Sequence, residues 1–187
     1  MLHTLVLMRH AKSSWKDPSL VDHERPLNAR GERAAKLIAQ VLVARGSAPD
    51  QIWASDSVRT TQTAKWLIRG IPGPQIIRYF PEFYHASADD VFEVCSKQEA
   101  PAGALMLLGH NPGWASLFEI YTGKMTSFPT AACCVLGRRA GGAPNTPWYD
   151  PQNWRLKDFI KPKDFEPITD EEDQKTDTVP PPSGEGA

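Results

Sequence analysis

Long apolar runs are missing from this 187-residue chain. No stretch approaches the roughly 20 residues that span a bilayer, so no membrane anchor or membrane partner is expected. The N-terminus lacks a basic segment followed by a leader-like apolar stretch and a small-residue cleavage site, so a signal peptide is not expected either. Cysteine is scarce. Three residues, two of them adjacent (Cys133 and Cys134), do not make a disulfide framework, and a reducing, cytoplasmic compartment is expected. No Gly-rich nucleotide loop is present. The five histidines include no pair at i, i+4 or other close ligand spacing with a supporting carboxylate. Neither a metal nor a cofactor is therefore expected.

Strong net charge is missing too, since the total is −1, but its distribution is uneven. From Asp164 to the end there are eight acidic residues against one lysine, a net of −7, which leaves +6 on residues 1–163. A mildly basic body suits an anionic ligand, and it is too scattered to argue nucleic acid. The segment 164–187 is acidic and rich in proline and glycine, with almost no apolar anchors. It is expected to be a disordered tail behind a single domain at 1–163. There is no internal repeat, and a monomer is expected.

What is present is an alternation of strands and helices. HTLVLM (3–8), QIWAS (51–55), PQIIRYF (74–80), ALMLLG (104–109), AACCVLG (131–137) and NWRLKDF (153–159) read as strands. Helical spacing follows Asn28, runs through SVRTTQTAKWLIRG (57–70), and opens again at Ser87, where Asp90 three residues on suggests a capping box. Asn111 is expected to cap a fourth helix with Pro112 in its first turn. Trp66 and Trp114 fall at helical core positions. The alternation predicts a three-layer α/β/α sandwich with a mostly parallel central sheet.

Three polar sites then share one edge. Arg9 and His10 follow the first strand, Ser55 to Arg59 the second, and His110 with Asn111 the fourth. In an open parallel sheet the carboxyl ends of the strands are where ligands bind. Two helix N-termini, after Ser55 and after Asn111, would face the same spot and favour an anion. Arg9 and Arg59 can fork onto the oxygens of a phosphoryl group, and an imidazole can attack phosphorus as a covalent nucleophile.

RHA at 9–11, Ser55 with RTTQTA at 59–64, and GHN at 109–111 together resemble the histidine phosphatase superfamily, with its phosphoglycerate mutase-like fold. The resemblance is closer to the branch of the phosphohistidine phosphatase SixA, on RPLNARG (25–31), FPEFYHAS (80–87) and SFPTAACCVL (127–136), and it covers roughly residues 3–160. It implies that His10 is the nucleophile, that Arg9 and Arg59 bind the phosphoryl group, and that His110 completes the pocket. Ser13 matches a Ser or Thr that follows the triplet in the mutase relatives, while Lys16 stands where they carry Asn. Glu82 sits near the position of the mutases' proton-donating Glu. Asn111 and Arg25 are candidate substrate contacts, Arg25 alternatively a structural ion pair.

The implied reaction is hydrolysis of a phosphoryl group through phospho-His10, with water removing it in a second step. Only one helix fits between the third strand and ALMLLG, so no cap encloses the site, and a phosphorylated side chain of another protein, phosphohistidine above all, is the expected substrate. Three alternatives stay open: a small-molecule phosphomonoesterase, a mutase-like enzyme, and a phosphoprotein-binding module without turnover. Cys133 and Arg139 have the spacing of a cysteine-dependent phosphatase loop, but their apolar, β-branched surroundings read as a strand. His85, like His3 and His23, reads as structural or exposed.

Overall fold

The computed structural model describes residues 1–141 and 146–165. The expected tail falls outside the described residues from position 166 on, and the expected boundary at 163 lies within a short 3-10 turn, Pro162–Asp164.

Ten main elements follow one another: β1 (Leu2–Arg9), α1 (Ala29–Ala44), β2 (Gln51–Ala54), α2 (Val58–Gly70), β3 (Ile76–Tyr79), α3 (Ala88–Ser96), β4 (Gly103–Gly109), α4 (Gly113–Thr122), β5 (Cys133–Arg138) and β6 (Trp154–Ile160). The sheet order is β3-β2-β4-β1-β5-β6. The pairs β3–β2, β2–β4 and β4–β1 are parallel, while β5 and β6 add antiparallel strands beyond β1. The sheet is thus mostly parallel, as its alternating helices require, with an antiparallel flank where no helix separates β5 from β6.

β1 shows why the central strands read as unbroken apolar runs. Leu5 and Leu7 point to one face, where Trp114, Leu117 and Phe118 of α4 cover them with residues of α3. Val6 and Met8 point to the other, against Ile38 and Leu42 of α1 and Ala64 and Leu67 of α2. Both faces are covered, so both alternate sets must be apolar. β3 is an exposed edge strand, and Ile76 is largely open to solvent.

Helix caps locate the loops that carry the site. The Asn28 side chain accepts from the Gly31 amide at the start of α1, and Ser87 with Asp90 forms the capping box of α3. Asn111 does not cap α4. Pro112 occupies that position without a side-chain cap, and the Asn111 amide instead donates to the carbonyl of Phe128, 2.9 Å away. Trp66 is only half-buried, with Lys36 and Arg69 stacked on its ring, whereas Trp114 is fully buried. Gly109 is required by that second tryptophan: a β-carbon there would run into the Trp114 ring.

Candidate active site

The register of β1 against β4 puts Arg9 opposite Gly109, so the residues that follow each strand emerge side by side. The His10 amide donates to the Gly109 carbonyl at 2.9 Å, and the rings of His10 and His110 lie 4.9 Å apart. The loop after His10 is stapled from two sides. Thr63 of α2 accepts from the Ala11 amide, and Gly31 of α1 packs against the Lys12 backbone so closely that no β-carbon fits. Sequence-distant groups are thereby held on one sheet edge, around a cavity of about 250 Å³ open to solvent.

His10 is buried and its Nδ1 lies 2.7 Å from the Ala11 carbonyl, an acceptor only, so Nδ1 carries the proton. The lone pair is left on Nε2, which receives the Nε–H of Arg59 at 3.3 Å. Burial, then the charges of Arg59, Arg9 and Arg25, outweigh the pull of the Ala11 hydrogen bond and push the His10 pKa down to about 3. His110 is neutral for similar reasons: burial, His10 and Arg59 bring it down to about 2. Its Nε2 sits 3.0 Å from the hydroxyl of Ser55, with Ser57 and Thr60 slightly farther, and its Nδ1 faces Arg59 at 3.4 Å.

Arg59, on the first turn of α2, is the hub. Besides the two histidines it donates to the Asp22 carboxylate at 2.8 Å and to the Asp22 carbonyl. Asp22 also accepts from Arg25 at 2.8 Å and from the Tyr84 hydroxyl at 2.7 Å. Desolvation would raise the Asp22 pKa; the hydrogen bonds of Tyr84 and Arg25 and the Arg59 charge outweigh it and hold the carboxyl well below the usual range. Arg9 donates to Phe128, yet its Nε–H is buried without a partner. A buried orphan donor on a guanidinium costs free energy unless an anion meets it.

The structure gathers Arg9, His10, Ser13, Arg25, Arg59, His110 and Asn111 around this one cavity. Ser13 accepts from Arg25 at 2.9 Å, and Arg25 also reaches Ser14 and stacks on Trp15, so both readings of Arg25, rim residue and ion-pair partner, describe the same side chain. Glu82 stands apart. It is exposed in the turn Pro81–Phe83, is absent from the cavity wall, and its charge acts on Lys97. Sequence reasoning did not single out Asp22, Tyr84 and Trp15, and His85, read there as structural or exposed, is exposed and on the cavity wall. The one available signal was Asp22 three residues before Arg25 in DHER. Cys133 lies buried in β5 with its thiol pKa raised by burial, unlike a reactive thiolate. Among the described residues no three His, Cys, Asp or Glu side chains gather as a metal site would need.

Two buried neutral imidazoles have a measurable cost in acid. Unfolded, each titrates near the ordinary histidine value of about 6.5. Between pH 6.5 and about 3 the unfolded chain binds more protons than the folded one, so stability falls as pH falls through that window. Asp22 acts lower, below the usual carboxylate range. Chemical denaturation at steps from about pH 7 to about pH 5 should show a shallower loss for His10→Ala than for wild type. Equal slopes would mean that His10 is not held neutral.

Comparison with known proteins agrees with this geometry. Residues 5–82 match the family model for the histidine phosphatase superfamily (branch 1). A candidate phosphohistidine phosphatase SixA from Agrobacterium tumefaciens superposes with a TM-score of 0.71 at 30% identity, over 86% of this chain and 99% of that one. A second, from Nakamurella multipartita, gives 0.70 at 26% identity, over 86% and 96%. An uncharacterised chloroplastic protein of Arabidopsis thaliana is 32% identical over 173 residues, covering 84% of this chain and 77% of its own length. Among the described residues no helix is long and apolar enough to cross a membrane.

Proposed function

The chain belongs to the histidine phosphatase superfamily, and from that premise we propose that it hydrolyses protein phosphohistidine through a covalent phosphoryl group on its own His10. The observation that carries the reading is the tautomer of His10. With its proton spent on Ala11, the ring keeps its lone pair on Nε2, beside Arg59 on the cavity wall. In the first step Nε2 attacks phosphorus, the bond to the substrate's nitrogen breaks, and the leaving imidazole takes up a proton. In the second, water attacks phosphorus, the P–Nε2 bond breaks, and phosphate departs. Arg9 and Arg59 hold the non-bridging oxygens through both steps, where positioning and charge stabilisation do most of the catalysis. The buried cysteines are free, which suits a reducing compartment.

Protein rather than small-molecule substrate is supported by what adjoins the pocket. The mouth is open, and Trp15 on its wall is 67% exposed. Next to it, sharing Lys12 and Thr130, lies a second, smaller hollow of about 90 Å³, where Lys12, Arg30, Lys161 and Lys163 surround Ala34, Pro129 and Pro162. A small phosphoester needs only the first cavity; an acidic stretch beside a phosphorylated side chain would use both.

The test is phosphate release from a phosphohistidine protein and from a simple aryl phosphate, with wild type and the double variant Lys161→Glu/Lys163→Glu. Wild type should act on both, and the double variant should raise KM about 10-fold for the protein alone, an effect that fades at high salt. Turnover of the aryl phosphate only would remove the protein substrate and leave a small-molecule phosphatase. Binding of the phosphoprotein without release would make the chain a reader of phosphate.

A further inference from the structure

A phosphoryl transfer needs a proton for the leaving group, and the cavity wall is short of groups that can give one. His10 and His110 are buried and neutral. The arginines do not release protons in water. Tyr84 is tied to Asp22, and burial together with that carboxylate raises its pKa. Glu82 lies off the wall.

His85 meets the need, and this inference deepens the phosphatase reading on which it rests. Its side chain lines the cavity with His10, Arg59 and His110, and its ring centroid is 5.9 Å from that of His110. The imidazole is 60% exposed, so it can exchange protons with solvent. Nε2 sits 3.3 Å from the Asp22 carboxylate, while Nδ1 has no protein hydrogen bond among the described residues. The backbone is held at φ 53°, in the left-handed region, which is uncommon for residues other than glycine and recurs at active sites.

We propose that His85, anchored on Asp22, is the general acid and base of the reaction. As the imidazolium, it donates its Nε2–H to Asp22 and gives the Nδ1 proton to the leaving atom while the bond from phosphorus to that atom breaks. In the second step neutral Nδ1 takes a proton from the attacking water, which restores the imidazolium. Asp22 anchors the ring, and Arg59, Tyr84 and His110 are the other ionisable groups that adjoin it. Asp22 is a positioning residue in this scheme, acting through His85 and Arg59.

The experiment compares two aryl phosphates that differ in the leaving group. Phenol, about as weak an acid as tyrosine at pKa about 10, needs a proton as it departs; p-nitrophenol leaves readily without one. Asparagine tolerates a positive φ, so His85→Asn keeps the backbone while deleting the acid. Its kcat should fall by about 10²-fold on phenyl phosphate and less than about 5-fold on p-nitrophenyl phosphate, with KM unchanged on both. Asp22→Asn, which removes the ring's anchor, should show the same selective loss on phenyl phosphate. An equal loss on both esters would make His85 merely structural, and no loss on phenyl phosphate would overturn the assignment outright. Should wild type release phosphate from neither ester nor a phosphohistidine protein, the phosphatase reading itself falls and this inference with it.

Discussion

His10→Ala will abolish turnover by at least about 10⁴-fold on every phosphorylated substrate and will leave no phosphoryl group on the protein. The size of the effect follows from the site: among the described residues no other side chain on the cavity wall presents an unprotonated nitrogen between Arg9 and Arg59. His110 is neutral too, but its Nε2 faces Ser55, Ser57 and Thr60 and its Nδ1 faces Arg59. Folding should survive the change. The imidazole's one strong partner is a backbone carbonyl, and its removal takes away a buried titratable group that destabilises the fold in acid. A thermal melt that holds within a few degrees while phosphate release disappears is the expected pair of results.

Arg59→Ala carries the second largest effect. The guanidinium is almost fully buried and serves His10, His110 and Asp22 at once. Its loss removes a fork on the phosphoryl oxygens and leaves Asp22 with a reduced claim on its other partners. Deletion of one such donor costs about 10²–10³ in kcat. Arg59→Lys should rescue little of this, because an ammonium cannot reach both the Asp22 carboxylate and the phosphoryl group with fixed planar geometry. Steady-state kcat together with product inhibition by inorganic phosphate checks both points: phosphate should bind more weakly to each variant. Lysine activity within about 3-fold of wild type would mean that Arg59 supplies only charge.

Much of this site could be read in the sequence because its residues follow apolar strands. β1, β2 and β4 announce themselves as buried runs, and the carboxyl ends of parallel strands must share an edge, so Arg9, Ser55 and His110 converge whatever the loops do. The helix start after Asn28 and the capping box at Ser87 were legible for a similar reason, since each answers a local need of the backbone. Asp22, Tyr84 and His85 were not. They sit on irregular loops, where periodicity carries no signal, and their meeting with Arg59 is fixed only in three dimensions. Asn111 misled because its side chain had two uses, a cap on α4 or a tie to Phe128, and the chain chose the tie. Glu82 misled through its position in a motif, although the turn at Pro81–Phe83 directs it away from the cavity.

The central claim is a phosphoryl group carried by His10, and rapid quenching followed by peptide mass spectrometry tests it most directly. Wild type mixed with a phosphohistidine protein and quenched in base within milliseconds should yield a base-stable, acid-labile phosphoryl adduct on the peptide that contains His10, at a level that decays as phosphate appears. Phosphate release with no adduct on that peptide at any time, or with the adduct on another residue, would contradict it.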